Sequence, residues 1–150
     1  MLWIGLAVVI SVVVVCLTIA ALYVDDWRRD FTTNYAATSD DADSPLAALR
    51  SDLSPDELAN LTQQVVEKLP RWQLTQRDEG TGEVTLHFVR TTRLARFADD
   101  ITVRISPDET GSILRAESRS RIGKGDLGQN PRNLRELLEA VDRISNICPT

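Results

Sequence analysis

The chain has 150 residues and a net charge of −5, from 17 Lys and Arg against 22 Asp and Glu. Its 43 % hydrophobic and 26 % charged residues match the composition of an ordinary globular protein of one domain. A single His and two Cys argue against a zinc site, an iron–sulfur site and a disulfide scaffold. The acidic balance argues against nucleic-acid binding. We expect no cofactor and no metal.

Residues 2–24 carry no charged side chain and predict a single transmembrane helix. A helix of this length reaches about 34 Å, enough for a hydrocarbon core of about 30 Å. Trp3 at one end, and Tyr23 and Trp27 at the other, are typical interfacial aromatic residues. A cleaved signal peptide is the alternative, but the run is too long and no basic residue precedes it. No second apolar run exists, which excludes a multi-pass transporter. The lipid bilayer is thus the predicted partner of residues 2–24.

The side of the membrane on which the polar part lies is decided by few residues. Arg28 and Arg29 are the basic residues nearest to the apolar run, and the positive-inside rule would place them in the cytoplasm. A very short N-terminal tail crosses the membrane easily, which agrees with that orientation. We nevertheless expect a single-pass protein with an extracytoplasmic domain, because the resemblance described below implies an export segment.

The polar part divides into a linker and a domain. Residues 25–53 are small, polar and acidic and predict a flexible linker that leads to the domain or lies over it. Residues 54–147 follow as the predicted domain. It opens on Ser54-Pro55-Asp56-Glu57, a capping box before a helical stripe of apolar residues that ends by Pro70.

Four runs of alternating residues follow that helix and predict four strands. They start near Trp72, Val84, Ile101 and Leu114. The turn of residues 79–82 contains two Gly, and the turn of residues 107–111 contains Pro and Gly. Short turns predict an antiparallel meander. Asn130-Pro131 then predicts the N-cap and first residue of a final amphipathic helix. The expected fold is α+β: a transmembrane helix, then helix, four-stranded antiparallel meander and helix. The opposite, polar face of the sheet is expected to carry Arg77, Thr85, His87 and Arg104.

Polar and charged residues concentrate before the third strand and after the fourth. This candidate cluster, an anion site or a structural clamp, consists of Asp99, Asp100, Arg119, Arg121, Lys124, Asp126, Asn130 and Arg132. As an anion site, its cations would hold phosphate or carboxylate at a helix N-terminus. As a clamp, Asp126 would be held by backbone N–H groups or by Arg121. Asp99 and Asp100 alternate in direction, so they are not expected to act on one atom, and one of them is expected to pair with Arg.

The glycines of residues 123–128 fit G-x-G-x-x-G, but no parallel strand follows the helix, so a dinucleotide site is not expected. His87 lacks an evident catalytic partner. No residue is therefore assigned a catalytic role.

Two segments resemble a known family. Phe97-Ala98-Asp99-Asp100 and the run from Ser118 to Asn133, SRSRIGKGDLGQNPRN, resemble the domain-of-unknown-function family numbered 1499, over about residues 45–145. The resemblance implies a bacterial or plastid protein, often behind a membrane or export segment. It implies no activity and no catalytic residue. Many members begin the domain with a Cys-Pro-rich segment, which this chain lacks.

We expect a membrane-tethered, non-catalytic binding or assembly module, whose partner is a protein or an anionic small molecule. The alternative is an enzyme that acts at the membrane on an anionic or lipidic substrate through the Arg/Asp/Asn cluster after the fourth strand. The single His and the absence of a nucleophile–base pair favour the first hypothesis.

Overall fold

The computed structural model describes residues 2–23, 32–92 and 97–145. Within these ranges the elements are, in chain order, α1 (Leu2–Tyr23), β1 (Tyr35–Ala37), β2 (Leu49–Ser51), α2 (Pro55–Val66), β3 (Trp72–Glu79), β4 (Val84–Thr91), β5 (Ala98–Asp108), β6 (Gly111–Ser120) and α3 (Gln129–Ser145). The predicted α+β class is confirmed.

The first helix, α1, occupies the apolar run, and its described side chains are exposed. Across the residues that the structure describes, no helix was found that combines the length and the apolar character of a membrane span. Trp27, Arg28 and Arg29 lie outside the described residues.

The sheet has six strands, where the sequence predicts four. The order is β1-β6-β5-β4-β3, and β2 also pairs with β6, so the predicted meander forms the body of an antiparallel sheet. The two extra strands are short and lie end to end along the outer edge of β6: β1 pairs with residues 117–119 and β2 with residues 112–114. Three-residue strands leave too little alternation to be recognised in a sequence.

The described part of the predicted linker lies along the domain. The amide of Thr38 donates to the carbonyl of Ala116 at 2.8 Å, and the hydroxyl of Ser112 donates to the carbonyl of Leu53 at 2.8 Å. Arg115 pairs with Asp40 at 2.8 Å. The hydrogen bond from Arg115 holds the pKa of the Asp40 carboxyl below its ordinary value. The segment thus covers the edge of β6, which would otherwise present unpaired backbone groups.

Both helices of the domain pack on one face of the sheet. The core between them is built from alternate residues of the strands, such as Leu86, Phe88 and Val103, against Leu58 of α2 and Leu137 of α3. All five side chains are at most 1 % exposed. The opposite face, here called the open face, has no helix of the described chain packed on it.

The predicted capping box of α2 is present. Ser54 Oγ accepts from the amide of Glu57, and the Glu57 carboxylate accepts from the amide of Ser54 at 3.0 Å. These bonds from Ser54 lower the pKa of Glu57. The box fixes where α2 begins, so its apolar stripe faces the sheet.

A bulge in β3 reverses one prediction. The register with β4 shifts between Leu74 and Gln76, so Thr75 has no residue paired opposite it on β4. The residues of β3 beyond Thr75 therefore change face. Arg77, predicted on the open face, therefore lies opposite Leu86 on the helix side. There it donates to Asn60 of α2 at 2.7 Å. A bulge arises from strand pairing, which the local sequence does not specify.

The β5–β6 turn brings two backbones into close contact. A Cβ on Gly111 would clash with the carbonyl oxygen of Ser51 and would lie 2.7 Å from Cα of Asp52. Glycine at this position therefore lets β2 dock against the end of β6.

Candidate functional site

The motif residues on β5, β6 and α3 form a buried polar cluster between the sheet and the start of α3. Its members, called the polar cluster below, are Asp99, Ser118, Ser120, Asp126, Asn130 and Asn133. Asp99 is 1 % exposed and both asparagines are fully buried. Burial of so many polar groups is tolerated only when they satisfy one another.

The hydrogen bonds run from the sheet to the helix. Ser118 Oγ donates to Asn130 Oδ1 at 2.6 Å and accepts from Asn133 Nδ2 at 3.1 Å. Asn133 Nδ2 also donates to Asp99 Oδ2 at 2.9 Å. Asn130 Nδ2 donates to Ser120 Oγ at 3.1 Å. Among the described residues, no buried side-chain nitrogen or oxygen lacks a partner.

Small side chains on β6 make this contact possible. Ser118 and Ser120 alternate with outward-facing residues and, together with Ala116, leave room for α3 to approach. The asparagines at positions 130 and 133 lie one turn apart and face the same side of α3. The polar cluster therefore fixes the position of α3 against the sheet.

Asp126, and not the predicted Asn130, caps α3. Its carboxylate accepts from the amides of Gly128 at 2.9 Å and Asn130 at 3.0 Å, and from the side-chain amide of Asn130. Asn130 lies inside the first turn with its side chain in the polar cluster. The helix N-terminus, which the sequence offers as an anion site, thus already holds a carboxylate of the chain itself.

Of the two partners that the sequence offers for Asp126, backbone N–H groups hold it and Arg121 does not. Arg121 binds Asp100 through two nitrogens, with Nε–Oδ2 at 2.9 Å and Nη2–Oδ1 at 2.7 Å. Both side chains are about half exposed, and hydrogen bonding to Asp100 raises the pKa of Arg121. Asp99 and Asp100 point to opposite faces and one pairs with Arg, as predicted, because neighbouring residues of a strand alternate.

The remaining candidates lie outside the polar cluster. Arg119 is on the open face, with its guanidinium carbon 5.4 Å from the ring centre of Tyr35. Burial and a hydrogen bond to Glu117 raise the pKa of Tyr35. Lys124 is exposed in the loop before α3, and Arg132 donates to the carbonyl of Leu127 at 2.8 Å. The eight predicted residues therefore divide between a buried cluster and an exposed, charged surface.

The hydrogen bonds of the polar cluster join the sheet to α3 and thus have a structural role. The Ser118 hydroxyl donates to an amide oxygen, so no general base accepts its proton. His87 lies on the open face, 3.4 Å from Asp78 and 3.4 Å from the Thr102 hydroxyl. Over the described ranges, no group of three His, Cys, Asp or Glu side chains is placed to hold a metal ion.

Sequence reasoning missed a groove of about 520 Å³ along α3. It is lined by Leu69, Arg90, Gln129, Arg132, Arg135, Glu136, Glu139, Ala140 and Arg143. The α3 residues from 132 to 143 recur at intervals of three and four, so they form one stripe of the helix. This spacing was available from the sequence, but the wall of the groove formed by Leu69 and Arg90 was not.

On one side of the groove, side chains of the sheet are held in place by hydrogen bonds to a residue of α3. Glu136 Oε2 accepts from Arg90 Nε at 3.0 Å and from Trp72 Nε1 at 3.2 Å. Arg90 is 12 % exposed in its side chain and lies 6.0 Å from the Trp72 ring centre. Four guanidinium groups against two carboxylates give the lining an excess of positive charge. Guanidinium groups recognise carboxylates and phosphates.

Comparison with known proteins gives one match. A family model described as "Protein of unknown function (DUF1499)" matches residues 26–141. No curated protein and no solved structure matches the chain. The match includes the polar cluster, both strands that lie on the outer edge of β6 and the residues of the groove up to Ala140; Arg143 lies beyond it.

Proposed function

Because the chain belongs to the DUF1499 family, whose function is unknown, we propose from its own residues that it is a membrane-tethered, non-catalytic binding module. The observation that carries the proposal is the arginine-lined groove along α3. The groove is open and carries a net positive charge. Glu136 holds Arg90 in place on one side of it. The ligand of the groove is an acidic group, either on a protein partner or on an anionic small molecule.

The non-catalytic part of the proposal is supported by the polar cluster. The alternative enzyme would use the Arg, Asp and Asn residues after β6 for chemistry. Asn130 and Asn133 are bound to Ser118, while Arg121 is bound to Asp100. Recruitment of these side chains for catalysis would break the hydrogen bonds that they make in the fold.

The tether is residues 2–24. They carry no charged side chain, and the apolar residues of α1 point outward in several directions, with Trp3 81 %, Ile4 71 % and Leu17 59 % exposed. No described helix has both the length and the apolar character of a span, so the support for the tether is the uncharged sequence, because such a segment is unfavourable in water and favourable in a bilayer. The domain lies on the extracytoplasmic side in this proposal.

The proposed topology predicts two results in native membranes. Alkaline carbonate should leave the full chain in the membrane pellet, because a spanning helix resists extraction. A membrane-impermeant maleimide should label Cys148 in intact cells, because that thiol would lie outside. Recovery of the chain in the supernatant would refute the tether. Labelling only after lysis would reverse the proposed side.

The groove can be tested by site-specific photo-crosslinking in the full-length protein. A photoreactive phenylalanine at Glu139, in the groove, should give a discrete adduct detected by mass spectrometry of the intact protein. The same residue at Glu109, in the exposed β5–β6 turn, is the matched control and should give none.

Charge reversal then tests the arginines of the groove. Arg143→Glu should reduce the Glu139 adduct severalfold, whereas Arg104→Glu on the open face should leave it unchanged. Equal adducts from positions 139 and 109 would mean that the groove is not a binding site. The mass of the adduct separates a protein partner from a small molecule.

A further inference from the structure

The exposed apolar side chains of the domain are gathered at one end. In residues 32–92 and 97–145, the large hydrophobic residues that are exposed are Tyr35, Phe97, Ile122 and Leu127. Ile122 is 62 % exposed, Leu127 49 % and Phe97 46 %. Scattered apolar residues on a surface need no explanation, but their gathering at one end indicates an interaction surface.

A backbone hydrogen bond joins the segments that carry Phe97 and Ile122, and Leu127 lies in the same loop as Ile122, between β6 and α3. The amide of Arg121 donates to the carbonyl of Ala98 at 3.1 Å, which joins the start of β5 to the loop that contains Ile122. Asn34 is tied to the same loop, because its side chain donates to the carbonyl of Gly123 at 2.9 Å. We call the surface formed by Phe97, Ile122 and Leu127 the apolar tip.

The apolar tip lies where the chain enters the domain. Asn34 precedes β1, and nine residues lie between it and Val24, the last residue of the proposed anchor. Such a segment spans at most about 36 Å even when fully extended. The tip is therefore within reach of a bilayer that holds the tether.

The loop presents Leu127 outward at a conformational cost. Leu127 has φ of +53°, a left-handed conformation that Gly or Asn adopts more readily than leucine. Asp126 caps α3 directly before it, and Arg132 binds its carbonyl oxygen at 2.8 Å. These contacts hold the backbone of Leu127 in an unfavourable conformation while its apolar side chain stays exposed. Exposure to water gives no reason for such a strained, apolar residue.

Lys124 lies in the loop between Ile122 and Leu127 and is exposed. The neighbouring Arg121 binds Asp100, and Arg132 binds the carbonyl of Leu127. Lys124 is therefore the candidate cation of this loop for contact with lipid. Apolar side chains next to Lys and Arg are the combination that inserts into the headgroup region of a membrane. Arg and Lys also gain from anionic lipids.

We propose that the apolar tip docks into the headgroup region of the membrane that carries the tether, with Phe97, Ile122 and Leu127 inserted and Lys124 beside anionic lipid. This inference rests on the proposed membrane tether, and it adds a second, reversible contact that orients the domain. None of Phe97, Ile122 and Leu127 lines the groove along α3, so their insertion leaves that groove accessible to a partner.

The test uses tryptophan fluorescence of the full chain in vesicles of phosphatidylcholine and phosphatidylserine that are brominated close to the headgroup. Phe97→Trp places a probe in the tip, and Trp3→Phe with Trp27→Phe removes the signal of the N-terminal segment. Trp72 stays as an internal reference, because it is only 8 % exposed. Thr81→Trp, in the exposed β3–β4 turn at the other end of the sheet, is the matched control.

We expect bromine to quench Trp at position 97 strongly and at position 81 weakly. Ile122→Asn with Leu127→Asn should lower the ratio of docked to undocked domain about tenfold or more, because two apolar side chains lose their burial. Asn fits the left-handed position, so folding is preserved. Lys124→Gln should lower the ratio about fivefold in vesicles with phosphatidylserine and leave it unchanged without it.

Carbonate extraction of the same vesicles separates the two proposals. Quenching at position 97 supports docking, whether or not the chain resists extraction; a quenched but extractable chain would refute only the tether. A resistant chain with equal, weak quenching at positions 97 and 81 would refute docking and leave the tether standing. If Trp at position 97 becomes shielded from water as the protein concentration rises, and bromine does not quench it, a second copy of the chain covers the apolar tip. That result would also refute docking.

Discussion

Asn133→Ala is expected to lower the free energy of unfolding by about 3 kcal/mol. The side chain donates to the buried carboxylate of Asp99 and to the hydroxyl of Ser118, and both groups would lose that donor. A hydrogen bond to a buried charged group is among the more expensive contacts to remove. Alanine is a better helix former than asparagine, which offsets about half a kcal/mol. Thermal and urea unfolding of the protein in mild detergent, followed by circular dichroism, measures the loss.

Glu139→Ala is the control, because Glu139 lies on the exposed side of the same helix. It should change the stability by no more than about half a kcal/mol. Asp99→Asn in the Asn133→Ala background should recover part of the loss, because a neutral amide is cheaper to bury than a carboxylate. An Asn133→Ala variant as stable as the parent protein would mean that the polar cluster does not hold α3 in place.

Removal of residues 32–53 is expected to cost the domain about 4 kcal/mol or more. Leu46, Leu49 and Leu53 pack against the core, and β1 and β2 cover the edge of β6. Three partly buried leucines account for most of this figure. Since a domain of this size is stable by about 5–15 kcal/mol, the loss is a large share.

The measurement compares two soluble fragments, residues 32–150 and residues 54–150. The longer fragment should melt cooperatively with a mixed α/β circular dichroism spectrum. The shorter one should melt far lower or aggregate through the exposed edge of β6. If the two fragments melt at the same temperature, residues 32–53 do not stabilise the domain, and the folding unit starts at residue 54 as the sequence predicts.

The sequence by itself was sufficient for the elements whose signals are local. The capping box at Ser54 and Glu57 places the start of α2, because its donors and acceptors lie within one turn. Alternation of apolar residues places the core positions of β4, β5 and β6, because a strand with one buried face must repeat every second residue. The small residues Ala116, Ser118 and Ser120 likewise predict the close approach of a helix.

The tertiary structure decided everything that depends on which segments meet. Arg77 changes face because β3 bulges against β4, and Arg121 finds Asp100 because β5 pairs with β6. Asp126 takes the cap of α3 because Asn130 is drawn into the polar cluster. The groove along α3 and the apolar tip each need two or more segments that are distant in the chain. Such pairings follow from packing and register, for which no short stretch of sequence carries a signal.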